Sequence, residues 1–369
     1  MRKRLSYAVP MFESNTDVQI NAYFELWEGE DMVSMKDISV RCGVSVATVS
    51  KALNNHTDIG EETRLHIKKV AKEMGYFPNS SARALKTNRT FNLGVLFADE
   101  SRSGLTHDYF ANVLDSFKVT AEEQGYDITF LNCNKKRKDR MSYTEHSMYR
   151  GLDGVVIACV DFYDPEVVEL IESKLPVVTI DHLFNNRIAI MSDNVKGMRD
   201  LVEYVYHQGH TKIAFIHGAD SAVTRSRLTS FYKTTEELGL TIPEDYIKEI
   251  IYRDTIEAGV KTRELLALKN PPTCILYADD YSALGGMNAI KACGLNIPED
   301  ISIAGYDGIT ISSMLEPHLA TIKQDTKSMG RIAAEQLIGL IEKPKSTIVE
   351  PIIVEGILVE GKSVKNILK

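Results

Sequence analysis

Hydrophobic and polar positions follow two rhythms, and the change between them divides the chain. From Ser34 to Tyr76 apolar residues recur three and four apart in three short stretches, the spacing that lines up one face of a helix. Ser34, with Asp37 three residues on, predicts a capping box for the first helix, with Ile38, Val40 and Cys42 inward and Gly43 ending it. Ser45 caps the second, in which Val49, Ala52 and Leu53 share a face, Val46, Ala47, Ser50 and Lys51 point elsewhere, and Thr48 lies between. "GEETRLHIKKVAKEMGY" predicts a third, with Leu65, Ile67, Val70, Ala71 and Met74 inward and Gly75 as its stop. Beyond Leu93 the rhythm changes. Short β-branched runs, "LGVLF", "ITFL", "GVVIACV", "PVVTI", "KIAFI", "CILYA" and "ISIAGY", alternate with amphipathic segments such as 108–124 and 195–207. That alternation predicts βαβ units with parallel sheet, and a second series begins near "RIAIMSDNVKG", giving two α/β subdomains.

Two short helices joined by a turn containing Gly make a helix-turn-helix. In "VSVATVSKALNN" the outward side chains are small, β-branched or hydroxylated. A helix lying in a major groove needs such residues, with hydroxyls for phosphates and methyls for thymine. Charge agrees: residues 34–89 carry a net +5, against −3 for 1–33 and −10 for 90–369. A basic module on an acidic body is the pattern of one part meeting phosphate while the rest stays in solution. The linker "FPNSSARALKTNRT" holds one short helix that Asn79 or Ser80 can cap and that contains Ala82, Ala84 and Leu85. It is too short to be stable alone and is expected to order on binding. No run of eighteen apolar residues and no signal peptide occurs, so a soluble, cytoplasmic protein without a membrane partner is expected. Five cysteines, odd in number and without a C-x-x-C pair, point to no disulfide framework and no zinc site, and no cofactor or metal is expected.

The stretch "MKDISVRCGVSVATVSKALNNHTDIGEETRLHIKKVAKEMGYFPNSSARALKTNRTFNLGVLF" resembles the head of the lactose/galactose repressor family of bacterial transcription factors. The resemblance implies an all-α helix-turn-helix head on a two-subdomain, parallel α/β core like that of periplasmic binding proteins. It places Val46, Ala47 and Lys51 at base-reading positions and Thr48, Ser50 and Asn54 at backbone-contacting ones, with Ser80 and Leu85 in the DNA-binding hinge. Leu85 matches the leucine that enters the minor groove beside its counterpart from a second subunit. Gly60 stands where the family often has a capping serine. The implied partners are an operator in double-stranded DNA, a small-molecule effector and a second copy of the chain, as a homodimer or a tetramer. The domains expected are a leader, 1–33; the head, 34–78; hinge helix and linker, 79–90; an N-subdomain, 91–191 plus 325–346; and a C-subdomain, 192–324 plus 347–369.

Open α/β sheets bind ligands beyond the carboxyl ends of their strands. Asp99, Asp181, His217, Asp279 and Asp307 follow predicted strands, and the carboxylates are expected to line one cleft. Carboxylates only accept hydrogen bonds, which suits the many donors of a carbohydrate and repels an anion. Arg227, Asp279 and Asp307 match ligand positions of the family, and Asp254 stands at the position of its stacking tryptophan. Stacking is therefore expected from Tyr109, Phe110 or Tyr281.

Other signals compete. "GILVEGKS" has the letters of a phosphate-binding loop, but its middle reads as an apolar strand and too few residues follow for a helix. "HQGH" has no third metal ligand, and "NKKRKDR" reads as a solvated loop. The leader, with the single tryptophan Trp27, has no counterpart in the resemblance, and a natural start at Met32 or Met35 is expected. A ligand-controlled repressor accounts for most of these features. The alternatives are a sugar-active enzyme using Asp279 and Asp307 as paired carboxylates, or a solute-binding protein.

Overall fold

The computed structural model describes residues 33–77, 89–98, 104–131 and 141–368. Ser80, Leu85, Asp99, the leader up to residue 32 and the run 134–140 lie outside the described residues. The chain forms two compact units, Met1–Arg83 and Ala84–Lys369.

In the first unit, helices α1 (Met35–Cys42), α2 (Val46–Leu53) and α3 (Glu61–Met74) surround a core of Ile38, Val49, Ala52, Ile67, Val70 and Ala71. Their ends are built as the sequence predicts. Ser34 Oγ accepts the Asp37 N–H at 3.3 Å while Asp37 Oδ2 accepts the Ser34 N–H at 2.8 Å. Gly43 and Gly75 close α1 and α3 with φ of 66° and 75°, a region that costs a Cβ-bearing residue energy. Two expected core residues are not in it: Val40 and Leu65 are 76% and 60% exposed. Each stands two residues from a buried one, Ile38 or Ile67, and so points about 200° around the helix from the core.

The second unit has two lobes. In chain order the first holds β1 (Asn92–Phe97), α4 (Asp108–Glu123), β2 (Asp127–Phe130), α5 (Tyr143–Tyr149), β3 (Gly154–Ala158), α6 (Pro165–Glu172), β4 (Val177–Ile180) and β5 (Ile188–Ser192). The second holds α7 (Asn194–His207), β6 (Ile213–Gly218), α8 (Ala222–Glu237), β7 (Ile247–Ile250), α9 (Thr255–Leu266), β8 (Cys274–Tyr277), α10 (Asp280–Ala292), β9 (Ser302–Asp307) and β10 (Ala320–Lys323). Then α11 (Thr326–Glu342) and β11 (Pro351–Val354) return to the first lobe, and β12 (Ile357–Val359) to the second. The sheets run β11-β5-β4-β3-β1-β2 and β12-β10-β9-β8-β6-β7. All pairs are parallel except β10 with β12.

The seven expected strands form within a residue or two of their predicted ends. β7 escaped the pattern because "IKEI" is a half-exposed edge strand. The expected assignment of 347–369 to the C-subdomain needs correction. β11 pairs in parallel with β5, Pro351 opposite Ala189 through Val354 opposite Ser192, so the last crossing falls at 355–356. The three crossings, at Asp193, at 324–325 and at 355–356, run side by side. The Asp193 N–H donates to the Val354 carbonyl at 2.9 Å, and a Cβ on Gly356 would lie 3.0 Å from the Lys323 carbonyl.

The decoys become structural residues. β12 occupies the middle of "GILVEGKS", and Ser363, fully buried, donates to the Ile303 carbonyl and accepts the Ala320 N–H. His210 is held between the Thr273 hydroxyl and the Lys365 carbonyl, each at 3.0 Å.

In the first lobe α4 and α11 pack closely on Gly330, where an added Cβ would meet the Val113 carbonyl oxygen at 2.1 Å and the Phe117 nitrogen at 2.7 Å. Alanine in a helix gains up to about 1 kcal/mol of propensity over glycine, but here the helices must part, which costs about 1–3 kcal/mol. Gly330→Ala is therefore expected to lower the urea midpoint of the second unit. An unchanged or raised midpoint would show that the helices separate freely.

Candidate functional sites

On the head, the outward face of α2 presents Val46, 44% exposed, with Ala47, Lys51 and Asn54 also exposed and Thr48 and Ser50 half-buried. The methyl groups of Val46 and Ala47 are open. Three of the polar side chains have partners within the head. The Lys51 ammonium pairs with Asp58 Oδ2 at 2.5 Å, the Thr48 hydroxyl shares a hydrogen bond with Ser45 Oγ at 2.9 Å, and the Asn54 amide donates to the Ser50 carbonyl at 2.7 Å. The hydrogen bond from Lys51 holds the Asp58 carboxyl below the usual carboxylate range.

Between the lobes of the second unit, beyond the carboxyl ends of the strands, lies a cavity of about 240 Å³. His107, Tyr109 and Phe110 at the start of α4, Phe162 beyond β3, and Asp181 and His182 after β4 form the wall of the first lobe. Arg227 on α8, Ile251 and Tyr252 after β7, and Asp307 at the end of β9 form that of the second, with Gln324 at a crossing. This is below the usual range for ligand pockets, about 300–1,000 Å³, and suits a small compound.

Arg227 is 4% exposed. Its Nε donates to Asn194 Oδ1 at 2.8 Å and its Nη1 to the Ala278 carbonyl at 2.9 Å. Nη2 lies 3.7 Å from Asp307 Oδ1, and the guanidinium stands 3.5 Å from the Tyr306 ring centroid. Asp307 also accepts the Gln324 amide at 2.6 Å. Burial pushes the Asp307 carboxyl up to about 6 although Arg227 pulls it down. Gln324 Oε1 is buried with no hydrogen-bond partner among the described residues. Asp181, at φ 57°, accepts the Ser192 N–H at 2.9 Å and the Tyr109 hydroxyl at 2.8 Å. The flat surfaces are Phe162 and His182, stacked at 4.2 Å and 14°, and Tyr252. Burial holds His182 below its ordinary pKa, which favours the neutral ring. Tyr252 rests against Gly218, where an added Cβ would come within 2.1 Å of the ring.

Residues 34–79 match the family model described as bacterial regulatory proteins, lacI family, and residues 202–364 match the periplasmic binding protein-like domain. The probable HTH-type transcriptional repressor ExuR of Bacillus subtilis (strain 168) is 30% identical over 320 residues, 85% of this chain and 93% of that relative. The chain belongs to the lacI family. The HTH-type transcriptional repressor CytR of Escherichia coli (strain K12) is 29% identical over 82% of this chain and 88% of that relative. Among solved structures, the lac repressor dimer bound to operator and the anti-inducer ONPF has a TM-score of 0.78 at 25% identity, covering 91% of this chain and all of that one. The CelR–cellobiose complex shares the fold, with a TM-score of 0.67 at 22% identity, covering 90% and 99%. As a lacI-family protein the chain is a DNA-binding transcriptional regulator with a ligand-binding domain.

The structure brings five of the expected effector residues to the cavity: Tyr109, Phe110, Asp181, Arg227 and Asp307. It takes two away. Asp254 Oδ1 accepts the Ile256 and Glu257 N–H groups and caps α9. Asp279, 2% exposed, caps α10 and is used up by the Ser282 N–H and hydroxyl and the Arg253 N–H. An aspartate after a strand and before a helix serves the exposed N–H groups of that helix as readily as a ligand. Tyr281 and His217 do not line the cavity either: the Tyr281 hydroxyl donates to Asp108 and His217 Nδ1 meets the Gly218 carbonyl. Phe162, His182, Tyr252 and Gln324 were missed; the first three lie on loops beyond strands, and Gln324 sits in "ATIKQD" just past β10.

Lys51 has to leave Asp58 to meet a duplex, so if it does meet one, Asp58→Asn is expected to raise affinity for random-sequence duplex roughly two- to fivefold at low salt, with the gain shrinking as salt rises. Fluorescence anisotropy against salt concentration measures it. Equal or weaker binding would mean that Lys51 does not meet the backbone or bases.

Proposed function

We propose that the protein is a cytoplasmic repressor that binds a palindromic operator as a homodimer and is controlled by a neutral, hydroxyl-rich effector, a carbohydrate, in the cavity between the lobes. Val46 and Ala47 meet thymine methyls, Lys51 is the polar base reader, and Thr48, Ser50 and Asn54 hold phosphates. Ser80 and Leu85 belong to the hinge that completes the contact, each half-site being read by one head.

The observation that carries the effector reading is the cavity's chemistry. Asp181, Asp307 and the unpartnered Gln324 Oε1 offer acceptors, against one guanidinium already held by Asn194 and Ala278. Two carboxylates to one cation repel an anionic ligand, while Phe162, His182 and Tyr252 supply surfaces for the apolar face of a sugar ring. A sugar-active enzyme is disfavoured because Asp279 is a helix cap.

The test selects duplex fragments from the source genome with the full-length protein and then titrates a panel of neutral sugars, uronates and sugar phosphates. A neutral sugar is expected to change the affinity for a two-fold-symmetric fragment, with the anions inert. Response to an anion alone would reject the carbohydrate reading, and no preference for symmetric fragments would reject the operator reading. For the active sugar, affinity should fall as pH drops through about 6, where Asp307 takes up a proton and loses its charge as an acceptor. Asp307→Asn should weaken binding by roughly ten- to a hundredfold and remove that pH dependence. A pH-independent wild type would place the sugar away from Asp307.

A further inference from the structure

The segments that wall the cavity also grip each other across its mouth. On the first lobe His107, Tyr109 and Phe110 line the cavity, but Asp108 among them does not. Its Oδ2 accepts the Tyr281 hydroxyl at 2.8 Å and lies 3.6 Å from Arg253 Nη2. On the second lobe Ile251 and Tyr252 line the cavity, and the next residue, Arg253, reaches over to donate to the Thr106 carbonyl at 3.3 Å. The Arg253 guanidinium packs 4.5 Å from the centroid of the Tyr281 ring. Arg253 stands at φ 66°, and its N–H is held at 2.9 Å by Asp279, so the buried cap of α10 fixes where the arginine emerges. Its side chain is 15% exposed and that of Asp108 39%, so water screens this pair less than a fully exposed one.

We propose that Asp108, Arg253 and Tyr281 form a latch that holds the two lobes together. They are positioning residues. An occupant touching the neighbours of Asp108 and Arg253 acts on the same balance of open and closed forms, because a ligand shifts such a balance only through unequal contacts with the two states. The consequence for operator binding rests on the proposed function, whereas the latch itself does not.

The test uses full-length protein without effector. N-ethylmaleimide is applied in excess, and labelling of each cysteine is followed by mass spectrometry of its peptide. Cys159 lines the cavity and reports opening, while Cys274, fully buried in the core of the second lobe, reports unfolding. Asp108→Ala and Arg253→Ala should each speed Cys159 labelling by roughly three- to tenfold with Cys274 still protected. The double variant should label no faster than the faster single one. Unchanged Cys159 rates, or single effects that multiply in the double variant, would overturn the latch. If Cys274 becomes reactive in either alanine variant, Tyr281→Phe decides, since it removes one hydroxyl: faster Cys159 labelling supports the latch and an unchanged rate overturns it. Because neither operator nor sugar enters the measurement, failure of the latch is distinguishable from failure of the proposed function.

Discussion

A buried guanidinium disciplines the second unit. An ionised side chain removed from water is tolerated only when its charge is matched and its donors are used, and Arg227 finds its partners on three elements: Asn194 at the start of α7, the Ala278 carbonyl after β8, and Asp307 at the end of β9. These strand and helix ends must therefore stand in fixed relation before any ligand arrives. The same requirement explains why Asp307 sits at φ 97°, a strained value for a residue with a Cβ. Its carboxylate is needed by Arg227 on one side and Gln324 on the other.

Much of this was legible in the sequence, and the reasons for the failures are local. The head could be read because its turns depend on residues with little freedom: the serine and aspartate of the capping box and the glycines at positive φ. The central strands could be read because burial on both faces demands unbroken β-branched runs, and β7, half exposed at a sheet edge, gave no such run. Val40 and Leu65 show the limit of apolar identity without phase. At the cavity, Asp181 and Asp307 could be found from strand ends, but Asp254 and Asp279 occupy the same kind of place and serve helices. Only the distances to N–H groups separate the two roles. The aromatic wall could not be found this way, since nothing in the order of residues says that Phe162 and His182, on loops after different strands, come to stack.

The two units divide the electrostatic work. The head concentrates positive charge beside an α2 face of small side chains and restrains its main cation with Asp58. The body keeps its acidic excess, part of which serves structure: Asp280, fully buried, accepts the Thr321 hydroxyl and the Ile309 N–H and ties α10 to the strands around Asp307. Burial keeps its carboxyl well above the usual range, although the hydrogen bonds from Thr321 and Ile309 pull it down.

The side-by-side arrangement of the three crossings has a mechanical consequence. A single tether would leave one lobe free to swivel, whereas three lying together bend easily about one shared axis and oppose torsion and sliding. Asp193 and Asp325 clamp the first turns of α7 and α11 immediately beyond two of these tethers, so bending is confined to a few residues. Gln324, which lines the cavity, lies within that strip. Any bending between the lobes therefore falls on that one short strip, beside the residue that reaches the cavity from it.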